Sequence, residues 1–549
     1  MNAERLLQHF ERLSETSDAI PRLRRLILDL AVHGKLVPQD PNDEPAAELL
    51  KRIQAEKAQL IKDGTLKKSV VTSSRYNIKV PLELPETWVL VCLGDVAQYG
   101  IPEKADSNRK IEPETWVLDL EDVEKDTSRL IKRAVSSGRP FRSTKTVFRR
   151  GDVLFGKLRP YLNKVIIADM DGVCSTEIVP IRGYCDIVPE YTKLVLKSPL
   201  TMRRVDRLMY GMKMPRLGTN DATSLEFPLP PLAEQHRIVA KVNELMALCD
   251  DLEAAKTERE QSRDRLVAAS LQRLNQPADD ETFRVDVRFV FKHLPRLITC
   301  PAHIKQLRQT ILNLAVRGKL IAQNPNDEPA VELLKRNSVW RTDAIQRKQI
   351  REPRKPLNNI DSNEFPYVLP SGWSWARLGE IIYIQSGDGL ISENMKNGDI
   401  PVFGGNGING YHDISNVNEP SIVIGRVGYY CGSIHTTPPK AWVTDNAFIT
   451  QYCKDSISMR FLVLLLNRTN LKENESATAQ PVISGSKIYP IVIGLPPLAE
   501  QHRIAAKVDE LMALCNQLET QLSTTTTDGH RLLEAVLHEA LAPALKEAA

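Results

Sequence analysis

Two short stretches carry side chains suited to gripping nucleic acid. Lys157-Leu158-Arg159-Pro160-Tyr161-Leu162-Asn163-Lys164 places cations and an aromatic ring close together. Arginine pairs with phosphate or with the edge of guanine, and lysine supplies charge to phosphate. The second stretch, Gly405-Asn406-Gly407-Ile408-Asn409-Gly410-Tyr411, offers amides suited to adenine, and Arg426 follows the next apolar run. Lys157, Arg159, Tyr161, Lys164, Asn406, Asn409, Tyr411 and Arg426 are therefore the candidate DNA contacts. A structural role for some of them is the competing reading.

Catalytic chemistry is harder to find. Gly405 to Gly410 fits GxGxxG, but a dinucleotide site needs a helix to begin there, and Tyr411-His412-Asp413-Ile414-Ser415-Asn416 is turn-like instead. The segment reads as a compact turn. No GxxxxGK[ST] loop is present, so no ATP-driven activity is visible. Asn324-Pro325-Asn326-Asp327 shares only two letters with an amino-methyltransferase motif and lies in a duplicated turn. His236 and His502 have no evident acid or nucleophile beside them and read as surface or interface residues. The 8 cysteines are scattered with no CxxC pair, which argues against disulfides and structural zinc. No catalytic residue and no metal ligand is expected.

The formal charge of +4 is too small to announce a nucleic-acid binder, but its distribution is uneven. Residues 112–126 hold seven acidic side chains against Lys125, and residues 132–164 hold ten basic ones against Asp152. Such a block is either a binding surface or an ordinary solvated face. At 549 residues the chain has room for three or four domain-sized units. No apolar run is long enough for a membrane span and the N-terminus is charged and amphipathic, so a cytoplasmic location is expected.

The frame that must position these residues is written twice. Residues 229–253, LPPLAEQHRIVAKVNELMALCDDLE, recur at 495–519 with changes only at Val239/Ala505, Asn243/Asp509, Asp250/Asn516 and Asp251/Gln517. Leu-Pro-Pro breaks any strand, and Glu234 and Glu500 suit the positive start of the helix that follows. Ile238, Val242, Leu245, Cys249 and Leu252, and likewise Ile504, Val508, Leu511, Cys515 and Leu518, form an a/d seam. The obvious partner of each seam is the other copy.

A second repeat, 27–52 and 311–336, reads as an amphipathic helix ended by Gly34 or Gly318, a Pro-Asn-Asp-Glu-Pro turn, and another helix. A third opens each variable region: Leu84-Pro85-Glu86-Thr87-Trp88 and Leu369-Pro370-Ser371-Gly372-Trp373, followed by Leu93-Gly94-Asp95 and Leu378-Gly379-Glu380. The variable regions are mixed, with short β-rich runs and a helix near each end at 191–209 and 459–466. The fold class is α+β: an internal duplication of helical arm, mixed α/β domain and long helix. The expected boundaries are 1–80 (helical arm and connector), 81–228 (variable domain), 229–275 (helix), 276–365 (linker and second arm), 366–494 (variable domain) and 495–549 (helix).

Together these segments resemble the DNA specificity subunit of type I restriction–modification enzymes. The Leu-Pro-Pro helices, the Leu-Pro-x-x-Trp openings, Pro401–Tyr411 with Ile424-Gly425-Arg426, and Lys157–Lys164 carry the resemblance, which spans nearly the whole chain. It implies a non-catalytic subunit in which two target-recognition domains, separated by two long antiparallel helices with an internal pseudo-twofold duplication, each read one half of a split double-stranded DNA site. Two adenine-methylating (M) subunits and two motor-nuclease (R) subunits are the implied partners. S-adenosylmethionine, ATP and Mg²⁺ would belong to those partners, with none bound here. The N-terminal arm is expected to pack beside the C-terminal helix. A self-sufficient DNA enzyme and a coiled-coil adaptor binding protein partners are the alternatives.

Under this reading the long helices act as a ruler. A helix from Leu232 to Leu274 spans roughly 60 Å at about 1.5 Å per residue. Inserting four residues in both copies, between Lys256 and Arg263 and between Leu522 and Asp528, adds about one turn, some 6 Å. The gap in the DNA site should then lengthen by about one or two base pairs at roughly 3.4 Å each. A methylation map of the mutant checks this; an unchanged gap in an active complex means that something else sets the spacing.

Overall fold

The computed structural model describes residues 18–541 except 65, 67–82, 101–102, 106–111, 142, 278, 352–356, 470 and 472–480, with side chains to residue 535. Helices of eight residues or more are α1 (Ala19–Val32), α2 (Ala46–Lys62), α3 (Pro189–Lys197), α4 (Pro199–Leu208) and α5 (Leu232–Asn275). They continue as α6 (Asp280–Leu297), α7 (Pro301–Val316), α8 (Ala330–Gln346), α9 (Met459–Arg468) and α10 (Leu498–Leu541). The chain forms two compact units, Met1–Glu258 with Thr526–Ala549, and Arg259–Thr525. Residues 232–258 of α5 thus fall in the first unit and the rest in the second; α10 is divided the other way.

In the first unit the arm helices α1 and α2 bury Ile20, Ile27, Ala31, Leu49 and Ile53, spaced for one helical face each. They share a core with Ile238, Val242 and Cys249 of α5, and Leu245 packs against it. The arm runs antiparallel to α5: Arg24 reaches Asp250 at 2.5 Å and Glu253 at 3.0 Å, while Asp43 meets Arg237 at 2.6 Å. Within this unit the seam is thus covered by the arm and the variable domain, and Leu252 is left exposed. The C-terminal part of α10 lies on the arm's other side, where Ala19 packs with Leu533 and His530 meets Asp18 at 2.9 Å. The arm does pack beside the C-terminal helix.

The second unit repeats the plan. Ile504, Val508 and Cys515 are buried in one core with Ile304, Ile311 and Leu333, with Leu511 and Leu518 packed against it. Arg308 binds Asn516 at 2.7 Å and Glu519 at 2.8 Å, and Arg503 meets Asp327 at 2.6 Å. Here α5 contributes Val267, Leu271 and Leu274, and Asp264 meets His303 at 2.7 Å.

Each variable domain leaves its frame and returns at one place. Val89–Cys92 pairs antiparallel with Glu226–Leu229, from Val89 opposite Leu229 to Cys92 opposite Glu226; Ser374–Arg377 pairs likewise with Val492–Leu495. Beyond this clasp sits a four-stranded antiparallel sheet of the same order in both domains. In the first it runs Ala97–Tyr99, Ile178–Gly183, Val153–Gly156, Val165–Ile167; in the second, Ile382–Ser386, Ala447–Tyr452, Ile422–Gly425, Ile434–Thr436. The accessory sheets differ, five strands in the first domain and three in the second. That accounts for the greater length of the first.

Two expectations need correction. The helix expected over 191–209 is two, because Ser198 is extended (φ −66°, ψ 153°) as a residue before proline prefers, and its hydroxyl then caps α4. The stretch expected as a linker contains α6, capped by Asp279, whose carboxylate accepts from the Thr282 N–H at 2.7 Å. Phe283, Val287, Val290, Leu294 and Leu297 form its inner stripe. Pro295 in its last turn disguised the pattern.

The arm's helix-ending glycines also carry a packing constraint. Gly34 and Gly318 both have φ +67°, and a Cβ on either would fall 2.4 Å from Cγ of Pro85 or Pro370 in the Leu-Pro-x-x-Trp opening. Gly34→Ala should cost roughly 2–4 kcal/mol, from left-handed strain plus the clash. Gly64, at φ +74° with nothing within 4 Å, is the control. Its alanine variant should cost about 1 kcal/mol. Thermal unfolding compares them; equal losses would remove the packing argument.

Candidate nucleic-acid interface

The repeated Leu-Pro-Pro-Leu-Ala-Glu-Gln segment is the clamp that fixes each domain. Glu234, in the first turn of α5, accepts from Trp88 Nε1 at 2.9 Å and from Gln39 Nε2 at 2.7 Å. Burial pushes its carboxyl above the usual range in spite of those bonds. Gln235 accepts from the Val188 N–H at 3.1 Å, fixing the start of α3, and donates to Pro230 O at 3.2 Å. Gln501 does the same for Ser458 at 2.8 Å and Pro496 at 3.0 Å, and Gln323 donates to Glu500 at 3.3 Å. His236 and His502, between these clamp residues and the seam, are exposed.

From α3 and α9 the central sheet is positioned, and from its strands project two loops with one backbone design. In the first domain the loop runs from Gly156 through Lys157 to Lys164; in the second, from Gly425 through Arg426 to Ser433. The Lys157 N–H donates to Glu177 O at 2.9 Å, and the Arg426 N–H to Asn446 O at 2.9 Å. Leu217 N–H donates to Lys157 O and Ile483 N–H to Arg426 O, both at 3.0 Å. Arg159 N–H reaches Pro215 O at 2.7 Å, and Gly428 N–H reaches Pro481 O at 2.9 Å. Both loops turn through two left-handed residues, Arg159 (φ 49°) and Asn163 (φ 50°) in one, Gly428 (φ 94°) and Gly432 (φ 84°) in the other.

Superposing the loops in this register sets Lys157 on Arg426 and Tyr161 on Tyr430. Tyr161 and Tyr430 are both exposed, as is Tyr429. Arg159 is exposed and Lys157 half-buried, and neither has a side-chain hydrogen bond or ion pair among the described residues. Arg426 is more constrained: its guanidinium donates to Ser386 Oγ at 3.1 Å and Asp445 O at 3.2 Å and lies over the Phe448 ring. Lys164 turns inward, donating to Leu120 O at 2.7 Å, and burial lowers its pKa. Lys197 underpins the loop through Asp126 O and Ser128 Oγ, both at 2.6 Å; burial pushes its pKa down to about 8, with Lys193 adding like-charge repulsion.

Asn406 sits at the turn of a hairpin that touches the second loop, where Ser433 Oγ donates to Gly405 O at 2.8 Å. A Cβ on Gly425 would lie 2.3 Å from that same oxygen, so only glycine permits the approach. The segment after the turn, Gly407–His412, is a strand and not a helix. It carries Asn409, whose amide lies over Gly404, and Tyr411, exposed further along the same hairpin. Tyr429 and Tyr430 were missed from sequence; aligning GKLRPYLNKV with GRVGYYCGSI would have found them.

The uneven charge resolves into pairs. Arg139 binds Asp122 and Asp119, Lys145 binds Asp119 at 2.7 Å, and Arg133 binds Asp169 at 2.5 Å. Arg139 and Lys145 of the basic block therefore neutralise Asp119 and Asp122 of the acidic one, while Arg133 pairs outside it. What stays free on its loop is Lys157 and Arg159.

Comparison with known proteins decides what these twin loops belong to. The model of the type I restriction modification DNA specificity domain matches residues 85–260 and 370–525. The chain is 31% identical to the EcoAI specificity subunit of Escherichia coli, over 95% of this chain and 94% of that one. This chain is a member of the type I restriction–modification specificity subunit family. The EcoEI specificity subunit of Escherichia coli is also 31% identical, with the same coverage of 95% and 94%. A chain from a structure on complex assembly and conformational transition of the type I R-M system shares the fold. That match has a TM-score of 0.52 at 22% identity, over 84% of this chain and 99% of that one. A specificity subunit is the DNA-binding, non-catalytic component of a type I enzyme, which replaces the readings as lone DNA enzyme and as adaptor. Among the described residues no helix is long and apolar enough to cross a membrane, and no group of His, Cys, Asp and Glu could hold a metal.

Arg159 holds a left-handed backbone where the second domain has glycine. Arg159→Gly should relieve about 1 kcal/mol of strain and raise the melting temperature. The same change should weaken DNA binding by the assembled complex by about 1–3 kcal/mol if the guanidinium meets a base. Thermal unfolding and fluorescence anisotropy check the two arms, and a variant that binds as well as wild type would take Arg159 off the interface.

Proposed function

We propose that each domain reads one half of a bipartite double-stranded DNA site through its twin loop. The contacts are Lys157, Arg159 and Tyr161 in the first domain and Asn406, Tyr430 and Arg426 in the second, with Asn409 and Tyr411 along the adjoining hairpin. Lys164 serves by holding the loop to Leu120. The single observation carrying this reading is one loop backbone built twice with different side chains. A shared backbone aims side chains at equivalent places, and different side chains there read different bases.

Reading directs adenine methylation and restriction by partners: two methyltransferase subunits and two motor-nuclease subunits, in the cytoplasm. S-adenosylmethionine, ATP and Mg²⁺ are used by those partners. The duplication supports two like docking surfaces, since the clamp, arm and first half of the long helix recur with the same ion pairs. The seam residues Ile238, Val242, Leu245, Cys249, Leu252, Ile504, Val508, Leu511, Cys515 and Leu518 then stiffen the frame on which the partners seat.

Exchanging residues 81–228 for the domain of another specificity subunit should change one half of the methylated motif and leave the other intact. Sequencing methylated adenines in cells carrying the hybrid checks this. Simultaneous change of both halves would rule out independent readers.

A further inference from the structure

Beside the first domain's loop stands a small hairpin that the loop argument does not use. Tyr210 and Arg216 exchange both backbone bonds, Tyr210 N–H to Arg216 O at 3.0 Å and Arg216 N–H to Tyr210 O at 2.9 Å. Gly211 turns the chain at φ +99°. Its base is rigid, because the Arg216 guanidinium grips the Glu177 carboxylate through two bonds of 3.1 and 3.0 Å. Arg216 also bridges to Leu158, and Pro215 O accepts from the Arg159 N–H. The hairpin and the loop carrying Lys157 and Arg159 are therefore one backbone unit.

The tip of this hairpin is apolar and bare. Met212 is 102% exposed, so nothing among the described residues packs on it, and Tyr210 and Met214 beside it are 61% and 54% exposed. Holding such side chains in water on a stiff turn gains the fold nothing. Lys213 at the tip, and Arg203, Asp206 and Arg207 on α4, the helix that leads into the hairpin, are all exposed. The second domain has nothing similar in sequence, since at the offset that aligns Pro215 with Pro481 it carries Ser476, Thr478 and Gln480.

We propose that Met212 is an apolar wedge that enters the duplex between two base pairs of the first half-site and partly unstacks them. The inference rests on the reading of this domain as a DNA reader. Proteins that deform DNA insert Phe, Leu, Ile, Met or Pro between base steps, and the unstacking cost is offset by the added contact. Lys213 and Arg207 then lie where flanking phosphates pass, and the charge around the tip favours a polyanion over a protein surface. Pyrimidine–purine steps unstack most readily, so the first domain selects a flexible step at a position where it touches no base edge.

The test uses the complex assembled with its methyltransferase subunits and duplexes of the site mapped by methylation sequencing. 2-Aminopurine is placed in turn at each purine of the first half-site other than the methylated adenine. Wild type should brighten one position several-fold on binding, and Met212→Leu should keep that signal. Met212→Ala, with unchanged melting temperature, should lose the signal and bind about tenfold more weakly. Lys157→Ala should bind more weakly yet brighten the same position at saturation. The wedge is overturned if bound wild-type complex brightens no position, or if Met212→Ala brightens and binds like wild type. It is also overturned if no position brightens and replacing one thymine by uracil reproduces the Met212→Ala loss, which would make the tip a reader of a methyl group. Failure of wild-type complex to bind the duplex at all would instead remove the DNA-reading assignment beneath it.

Discussion

A carboxylate buried in the first turn of each long helix holds the molecule's segments in order. Glu234 accepts hydrogen bonds from Trp88 of the domain's opening and Gln39 of the arm, and its neighbours Gln235 and Arg237 reach α3 and Asp43. Three side chains on one turn of helix thus tie together arm, domain entrance and recognition domain. The helix N-terminus favours the charge that burial opposes. Removing the carboxylate would leave the buried Trp88 N–H without an acceptor, at a cost of about 1–3 kcal/mol. This is why Leu-Pro-Pro-Leu-Ala-Glu-Gln recurs unchanged while the domains between its copies diverge.

The same constraint separates what is fixed from what varies. Backbone hydrogen bonds carry the twin loops, so their path survives wholesale replacement of side chains. Arg159 and Asn163 tolerate left-handed geometry that glycine accepts without strain in the other domain. A domain can therefore change what it presents without changing where it presents it. The charge pairs in the first domain's accessory sheet act alongside this by neutralising Arg139 and Lys145.

The frame was legible in the sequence because repetition reveals it: three repeats gave the arms, openings and long helices, and Gly34 and Gly318 gave the arm's end. The seam pattern was equally plain, but a stripe of apolar residues does not name its partner. Within each unit the arm helix and the domain share the core it enters. Helix α6 was hidden by Pro295 and by the expectation that halves are joined by a linker. The site was only half legible. Residue type pointed to Lys157, Arg159 and Arg426, whereas the inward turn of Lys164 and the exposure of Tyr429, Tyr430 and Met212 depend on which way a loop faces.

The two-stranded clasp at the base of each domain has a consequence for heredity. Entrance and exit strands lie side by side, so any domain bounded by such strands arrives with its ends already at the separation the frame requires. A coding segment exchanged between those strands replaces a whole domain in one step. The frame on either side is inherited untouched, and a lineage can acquire a new domain without disturbing the segments that hold it.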